Sequence, residues 1–125
     1  MKGLKLVFIF LIVVLIIFRG IMIYTTNDLI NYVERVMSNE IPLEETEGTW
    51  YSCFQSKSKY TIDKAEVSIH RGWIFHDFQS GEINVIYHIR QYSNGVVVYS
   101  SYAPSKWLIE KKSGKWEIVK IIEKP

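Results

Sequence analysis

The sequence predicts an α+β protein with an N-terminal transmembrane helix, followed by one amphipathic helix that packs on a curved antiparallel β-sheet. Three observations predict this fold: a long apolar run near the N-terminus, a stripe of apolar residues at helical spacing, and alternating polar and apolar residues from Trp50 onward. The 125 residues suffice for one small domain outside the apolar run. We therefore predict a signal-anchor or transmembrane segment at 1–24, an amphipathic helix and acidic linker at 25–49, and the antiparallel sheet at 50–125, with 25–125 forming one domain.

The apolar run LVFIFLIVVLIIF covers Leu6–Phe18, which as a helix measures about 20 Å and falls short of the roughly 30 Å of a bilayer core. Extension through RGIMIY to Tyr24 gives about 28 Å and places Arg19 near the outer interface, within reach of lipid headgroups. The residues after the run lack the small-residue pair that signal peptidase prefers. We therefore predict an uncleaved membrane anchor over residues 6–24; a cleaved leader, and so a secreted protein, is the alternative.

The charge distribution indicates the orientation of this anchor and argues against one class of ligand. Lys2 and Lys5 precede the apolar run, so the positive-inside tendency places the N-terminus in the cytoplasm and residues 25–125 outside it. The formal net charge of +2 is too small to predict nucleic-acid binding. Abundant isoleucine and lysine with little alanine are typical of an AT-rich bacterial genome. The predicted location is the bacterial cell membrane, with an extracytoplasmic C-terminal domain.

The segment TTNDLINYVERVMSN predicts one amphipathic helix from about residue 26 to 38. Its apolar stripe consists of Leu29, Ile30, Val33, Val36 and Met37. Such a stripe needs an apolar surface to cover, and the predicted sheet provides one. The sequence leaves open whether this helix continues the membrane helix or starts anew at Asn27. EIPLEETEG, with Pro42 and Gly48, predicts a connecting loop.

Turn residues predict three hairpins in the sheet, and each turn sets a register of cross-strand pairs. Asn94-Gly95 favours a type I′ turn, QSGE at 79–82 marks a second turn, and Gly114 marks the third. The predicted pairs are Tyr92 with Val97, Arg90 with Tyr99 and His88 with Ser101 around Asn94-Gly95, Trp73 with His88 and Asp77 with Asn84 around QSGE, and Lys111 with Trp116 and Ile109 with Ile118 around Gly114.

Because side chains two residues apart point the same way, these registers divide the sheet into two faces. The predicted core face carries Ile74, His76, Phe78, Ile83, Val85, Tyr87, Ile89, Val96, Val98 and Tyr102. The predicted opposite face carries Arg71, Trp73, Phe75, Asp77, His88, Arg90, Tyr92, Tyr99 and Ser101. In the last hairpin, one shared apolar slab is expected from Trp107, Ile109, Trp116 and Ile118.

The terminal hairpin WLIEKKSGKWEIVKI resembles one that is common in the cystatin-like α+β superfold known as the NTF2-like group. The pattern Trp-x-Ile…Gly-Lys-Trp-x-Ile of that group is matched by Trp107, Ile109, Gly114, Lys115, Trp116 and Ile118. The resemblance implies a helix packed on a curved antiparallel sheet. Enzymes and carriers of the group usually close a pocket with about three helices, whereas this sequence offers one, which implies a smaller pocket. Members with one N-terminal membrane helix include assembly factors of bacterial conjugation and secretion machines, and the layout here is similar to theirs.

The predicted opposite face supplies the candidate binding residues, since Trp, Tyr and Arg are enriched at the hot spots of protein interfaces. They are Trp73, Arg71, His88, Arg90, Tyr92 and Tyr99. A cation–π contact between Arg90 and Tyr99 is expected among them. Catalysis is the less favoured interpretation, and its candidates are one carboxylate and two imidazoles that could exchange protons: Asp77, His76 and His88.

The sequence predicts neither a metal site nor a cofactor. The three histidines lack Asp, Glu or Cys at ligand spacing, and a glycine-rich phosphate loop is absent from the sequence. Cys53 is the only cysteine, and we expect it to be a small buried apolar side chain.

These observations favour a membrane-anchored binding or assembly module of the bacterial envelope over an enzyme. The expected mechanism is protein–protein association, with another protein or with a second copy of the chain. Two alternatives remain open: a small-molecule binder or isomerase/dehydratase-like enzyme of the NTF2-like group, and an immunity or inhibitor protein.

Overall fold

The computed structural model describes residues 2–55 and 61–123. Helix α1 spans Lys2–Met37, the short helix α2 spans Leu43–Thr46, and a 3₁₀ helix spans Trp50–Phe54. Four strands follow: β1 at Lys64–His76, β2 at Ser80–Ser93, β3 at Val96–Lys112 and β4 at Lys115–Glu123. They form one antiparallel sheet in the order β1-β2-β3-β4, which confirms the predicted α+β layout of a long apolar helix and an antiparallel sheet.

α1 is one continuous helix, so the amphipathic segment does not start anew at Asn27. Two threonines near that point keep their hydroxyls bonded within the helix. Thr25 donates to the carbonyl of Ile21 at 2.6 Å, and Thr26 donates to that of Met22 at 2.8 Å. These bonds satisfy both hydroxyls against the preceding turn. The predicted boundary between residues 24 and 25 therefore falls inside an uninterrupted helix.

The two halves of α1 have different surroundings. The first half is exposed from Leu4 to Ile17, and its length and apolar composition are compatible with membrane anchoring. The second half packs on the sheet through the predicted stripe, whose side chains are at most 4% exposed: Leu29, Ile30, Val33, Val36 and Met37. The prediction of a helical lid over the sheet is confirmed.

The hairpin at Gly114 has the predicted register. Ser113 and Gly114 have φ values of 52° and 79°, and two successive positive values are typical of a type I′ turn. The pairs are as predicted: Lys111 with Trp116 and Ile109 with Ile118. The predicted slab is also confirmed, because its members are buried or pack against the core: Trp107, Ile109, Trp116 and Ile118.

The Asn94-Gly95 hairpin keeps its predicted turn but loses its predicted register. Both turn residues have positive φ, and Tyr92 pairs with Val97 as expected. A β-bulge next to Gln91 then shifts the later pairs by one residue. Arg90, predicted to pair with Tyr99, pairs with Ser100. His88, predicted to pair with Ser101, pairs with Tyr102.

This shift exchanges the two faces of β3 near the turn. Tyr99, predicted to lie opposite Arg90, packs against the core. Tyr102, predicted in the core, is 69% exposed on the other face. Val96 lies between the turn and the bulge and keeps its predicted face, opposite Ser93, but it is 64% exposed and is not part of the core. The predicted contact between Arg90 and Tyr99 is therefore wrong, because the two side chains lie on opposite faces of the sheet.

The β1–β2 turn lies at Asp77–Gln79, earlier in the chain than predicted. Gly81 suggests a turn in the sequence, but in the structure it lies inside β2. A Cβ atom at this position would overlap the carbonyl oxygen of Phe75 and the backbone of His76. Glycine is thus required for the close approach of two strands and not for the turn itself.

The earlier turn displaces every pair that was predicted around QSGE. His88 lies opposite Ser68 and not opposite Trp73. Asp77 lies in the turn and not opposite Asn84. Phe78, predicted in the core, also lies in the turn, with a φ of 69° and 48% of its side chain exposed.

Within residues 2–55 and 61–123 the first strand begins at Lys64, and Trp50–Phe54 is a 3₁₀ helix, so the prediction of strands from Trp50 onward is wrong for those five residues. The 3₁₀ helix there adds a second cover to the core. Phe54 is fully buried, and its ring centroid lies 5.4 Å from that of Trp107 and 5.5 Å from that of Tyr87. A short aromatic segment has the same pattern whether it forms a strand or a single helical turn. The predicted loop before it likewise contains the short α2.

Cys53 lies in the 3₁₀ helix and is exposed, which contradicts the expectation of a buried side chain. The protein atoms around its sulfur nevertheless raise the pKa of the thiol to about 11, chiefly by desolvation. The thiol is therefore protonated near neutral pH and is a poor nucleophile.

Candidate functional site: the open face of the sheet

The face of the sheet that points away from α1 is called the open face, and its centre consists of Ile86, His88, Arg90, Tyr102 and Pro104. On β2 these side chains alternate with buried residues that point toward α1. Ile86 lies opposite Pro104, and His88 lies opposite Tyr102. The described parts of the chain leave this centre accessible, because Ile86 is 43% and Tyr102 is 69% exposed.

Charged pairs flank the apolar and aromatic centre of the open face. The Nζ atom of Lys106 lies 3.4 Å from a carboxylate oxygen of Glu82, and Nη1 of Arg90 lies 4.0 Å from one of Glu66. Both pairs are partly exposed, so water screens them and their contribution to stability is small. They form a polar rim of both signs around an apolar centre, as in many protein interfaces.

The aromatic rings of the open face contact neighbouring side chains but remain partly exposed. The rings of His88 and Tyr102 pack edge to face, with centroids 5.9 Å apart and planes at 80°. The Nζ atom of Lys64 lies 5.4 Å from the ring centroid of Tyr92. A side-chain hydrogen bond with Tyr92 raises the pKa of Arg90, so the guanidinium remains charged on this surface.

The open face contains three of the predicted binding residues: His88, Arg90 and Tyr92. Trp73 is 58% exposed but lies in a bulge of β1, between Arg71 and Ile74, apart from the centre of the open face. Arg71 and Tyr99 point toward α1 and the core. The prediction that all six share one face is therefore wrong for these two residues.

Sequence reasoning does not identify Ile86 and Tyr102 as members of this face. Ile86 lies in the run INVIYHI, where apolar residues occupy both faces of the strand. Tyr102 changes face because of the bulge next to Gln91. No turn residue or glycine marks that bulge, so the observed pairing alone reveals the exposed positions.

Two arginines join the sheet to α1, and we call their contacts the arginine clasp. Arg19 of α1 donates hydrogen bonds to the carbonyls of Arg71 and Gly72 in the β1 bulge. The guanidinium of Arg71 donates bonds of 2.9 to 3.2 Å to three oxygens of α1: the Ile23 carbonyl, the Thr26 hydroxyl and the Asn27 side-chain oxygen. Desolvation, together with the nearby Arg19, lowers the pKa of Arg71. The clasp thus fixes β1 against the helix at the point where the exposed half of α1 ends.

His76 is a structural residue, because hydrogen bonds occupy both of its ring nitrogens. Its Nδ1 accepts from the backbone N–H of Phe78 at 3.1 Å, which leaves Nε2 as the donor to the hydroxyl of Thr25 at 2.7 Å. The ring is 3% exposed, and burial followed by the charge of Lys111 lowers its pKa. A neutral imidazole that is bonded in this way has no nitrogen available to act as a base.

Asp77 and His88, the other catalytic candidates, do not form an acid–base pair. The carboxylate of Asp77 accepts the backbone N–H groups of Ser80 at 2.9 Å and Gln79 at 3.0 Å, and these bonds lower its pKa. His88 lies opposite Ser68, which is roughly 26 Å from the turn along β1. Asp77 therefore organises the β1–β2 turn, whereas His88 belongs to the centre of the open face.

Large side chains fill the centre of the space between α1 and the sheet. Trp107 and Phe54 are both fully buried there. A crevice of about 570 Å³ lies between α1 and the last hairpin, but its lining includes Tyr32 and Trp116 and none of the three catalytic candidates. Within residues 2–55 and 61–123, no group of three or more His, Cys, Asp or Glu side chains is placed to hold a metal ion.

No family model, curated protein or solved structure matches this chain. The features of the molecule that bear on its function are the open face, the apolar half of α1 and the contacts between helix and sheet.

Proposed function

We propose that this chain is a single-pass membrane protein of the bacterial envelope whose extracytoplasmic domain binds another protein through the open face. The long apolar α1 supports the anchor, and Lys2 and Lys5 ahead of the apolar residues support a cytoplasmic N-terminus. The order of helix and sheet, together with the terminal hairpin, supports an NTF2-like or cystatin-like domain. The proposed role is that of an anchored assembly factor.

The composition of the open face is the observation that carries this proposal. Its centre exposes Ile86 and Tyr102 and is rimmed by ion pairs, while α1 occupies the other face of the sheet. Exposed apolar groups with a polar rim are typical of interaction sites. Tyr102 and Arg90 also belong to the residue types that contribute most at such sites.

The filled interior supports association over small-molecule chemistry. A ligand pocket requires several hundred Å³ of concave space with convergent polar groups. In this fold Trp107 and Phe54 occupy the centre of the space under the helix, and the crevice of about 570 Å³ beside the last hairpin is lined by none of Asp77, His76 and His88. His76 is bonded at both nitrogens, so it adds no acid–base group to that space.

A photo-crosslinking amino acid at Tyr102 tests the proposal in the native membrane. Illumination is expected to produce a discrete adduct, because Tyr102 lies at the centre of the open face. The same amino acid at Val96 provides the matched control and is expected to produce none, because Val96 is 64% exposed at the tip of the same hairpin but lies opposite Ser93, on the other face of the sheet. Mass spectrometry of the adduct identifies the partner, and an adduct with a second copy identifies self-association.

Substitution of the face provides the second half of this test. Ile86→Ser combined with Arg90→Ala is expected to reduce the Tyr102 adduct about 10-fold or more, since one or two interface hot spots contribute that much to affinity. Equal labelling from Tyr102 and Val96, or an adduct that the double substitution leaves unchanged, would contradict the proposal.

A further inference from the structure

The first contacts between α1 and the sheet lie within the apolar part of the helix. The ring of Phe18 lies 6.4 Å from that of Phe75 in β1. The next residue, Arg19, donates to the carbonyls of Arg71 and Gly72. The β1 bulge therefore lies beside α1 at the level of residues 18 and 19.

The length of α1 below this level is too short to cross a bilayer. From Leu4 to Ile17 the exposed helix measures about 20 Å, roughly 10 Å less than a hydrocarbon core. Exposed apolar positions continue upward to Ile21 and Tyr24, which are 42% and 79% exposed. The distance from Leu4 to Tyr24 is about 30 Å, which matches the core thickness.

A bilayer that covers the whole apolar length of α1 therefore reaches the β1 bulge as well. Two aromatic side chains of β1 are exposed at that level, Trp73 at 58% and Phe75 at 48%, and Phe78 in the adjoining turn is 48% exposed. Tryptophan in particular is enriched where lipid tails meet the headgroups, because its ring is apolar and its N–H is polar. Tyr24, near the end of the apolar length of α1, is a further exposed aromatic side chain.

We propose that the β1 bulge, with Trp73 and Phe75, is immersed in the headgroup interface of the outer leaflet, so that the sheet domain rests on the membrane. This inference rests on the proposed membrane anchoring and adds a second contact with lipid, made by the sheet.

The arginine clasp fits this position. A guanidinium near the hydrocarbon boundary needs hydrogen-bond acceptors, and the carbonyls of Arg71 and Gly72 supply them to Arg19. The same bonds occupy carbonyl groups of β1, an edge strand whose backbone would otherwise be exposed to lipid. These bonds give the guanidinium of Arg19 its acceptors and the two carbonyls of the β1 bulge their donors, at the same depth in the membrane.

Spin labels on the full chain test the inference in lipid nanodiscs of phosphatidylcholine and phosphatidylglycerol that hold one protein each. In a Cys53→Ser background, single cysteines replace Trp73, Phe78, Val96 or Leu11, and collisions with oxygen and with a water-soluble nickel chelate are measured. We expect the nickel accessibility at Trp73 to be severalfold lower than at Val96, with undiminished oxygen accessibility, as in lipid. Phe78 is expected to follow Trp73 and remains informative if the Trp73 variant folds poorly.

Leu11, in the middle of the apolar half, separates this inference from the anchoring on which it rests. If Leu11 reports lipid while Trp73 and Phe78 match the water accessibility of Val96, the immersion of β1 is overturned and the anchor stands. If Leu11 also reports water, the anchor is overturned together with the inference.

Native tryptophan fluorescence provides a second measurement on the unlabelled chain. Lipids brominated near the headgroup are expected to quench part of the emission, and Trp73→Phe is expected to remove that quenchable part. Unchanged quenching in Trp73→Phe would place this side chain outside the lipid and overturn the inference.

Discussion

Replacement of Val33 by aspartate is expected to unfold the sheet domain while the apolar half of α1 stays in the membrane. Val33 is 0% exposed and lies in the middle of the stripe that covers the sheet. An isolated carboxylate there loses its water and gains no partner, which costs several kcal/mol. That cost is a large part of the roughly 5–15 kcal/mol that stabilises an ordinary domain. Amide hydrogen exchange of the four strands, in nanodiscs, measures the loss directly.

Asn31→Asp is the matched control for this substitution. It introduces the same group on the exposed side of α1, two residues away. We expect its exchange pattern to equal that of the unmodified protein, because exposed substitutions change the free energy of unfolding by about 0.5 kcal/mol or less. Equal protection of the strands in Val33→Asp and Asn31→Asp would show that α1 does not cover the sheet.

Trp107→Ala is expected to produce the second large effect, a loss of about 3–5 kcal/mol in the free energy of unfolding. Trp107 is 0% exposed, and its ring contacts that of Phe54 at 5.4 Å between centroids. Truncation leaves a cavity between the apolar slab of the last hairpin and the 3₁₀ helix. Denaturant unfolding of the full chain in detergent, followed by near-ultraviolet circular dichroism, measures the change.

Tyr102→Ala controls for the removal of an aromatic ring from the same strand. Its side chain is 69% exposed, so we expect a change below about 1 kcal/mol. A Trp107→Ala loss as small as that of Tyr102→Ala would contradict a core built around the last hairpin.

The parts of the fold that follow from local pattern could be predicted from the sequence. The stripe from Leu29 to Met37 repeats with the period of a helix, and the Gly114 turn leaves little choice of register for its two strands. In both cases the signal lies within about a dozen residues and tertiary contacts reinforce it. The structure therefore agrees with the predicted lid and the predicted slab.

The register of the other two hairpins could not be predicted, because it depends on bulges and on one close approach of strands. Gly81 has the composition of a turn residue, yet it is needed where β2 passes Phe75 and His76. The bulge next to Gln91 leaves no mark in the sequence, and it reverses the faces of Tyr99 and Tyr102. A change of one residue in register suffices to move a side chain from the core to the surface.

The sequence therefore predicts that one exposed face of the sheet is the candidate site, but it does not predict all of the residues on that face. His88, Arg90 and Tyr92 keep the predicted exposed face because they lie on β2, whose own alternation is regular. Arg71 is different: in the sequence it is one more polar residue of a strand, and only its distance from α1 makes it part of the clasp. Long-range contacts of this kind have no local signature.

The arginine clasp restricts the orientation of the open face in the proposed binding module. Because Arg19 and Arg71 join β1 to a helix that continues unbroken into the apolar half, the domain cannot turn freely about its anchor. The open face then keeps a constant orientation to the membrane, which lowers the entropy lost when a partner in the same membrane binds.

Whether one uninterrupted helix both anchors the protein and covers the sheet is tested most directly by a spin-label scan of positions 4 to 37 in nanodiscs. We predict lipid-like accessibility at all positions to 17, then a helical period from 22 to 37 with the lowest values at Leu29, Val33 and Met37, in one continuous phase. A mobile break between Tyr24 and Asp28, or equal accessibility around the second half of the helix, would contradict this structure of α1.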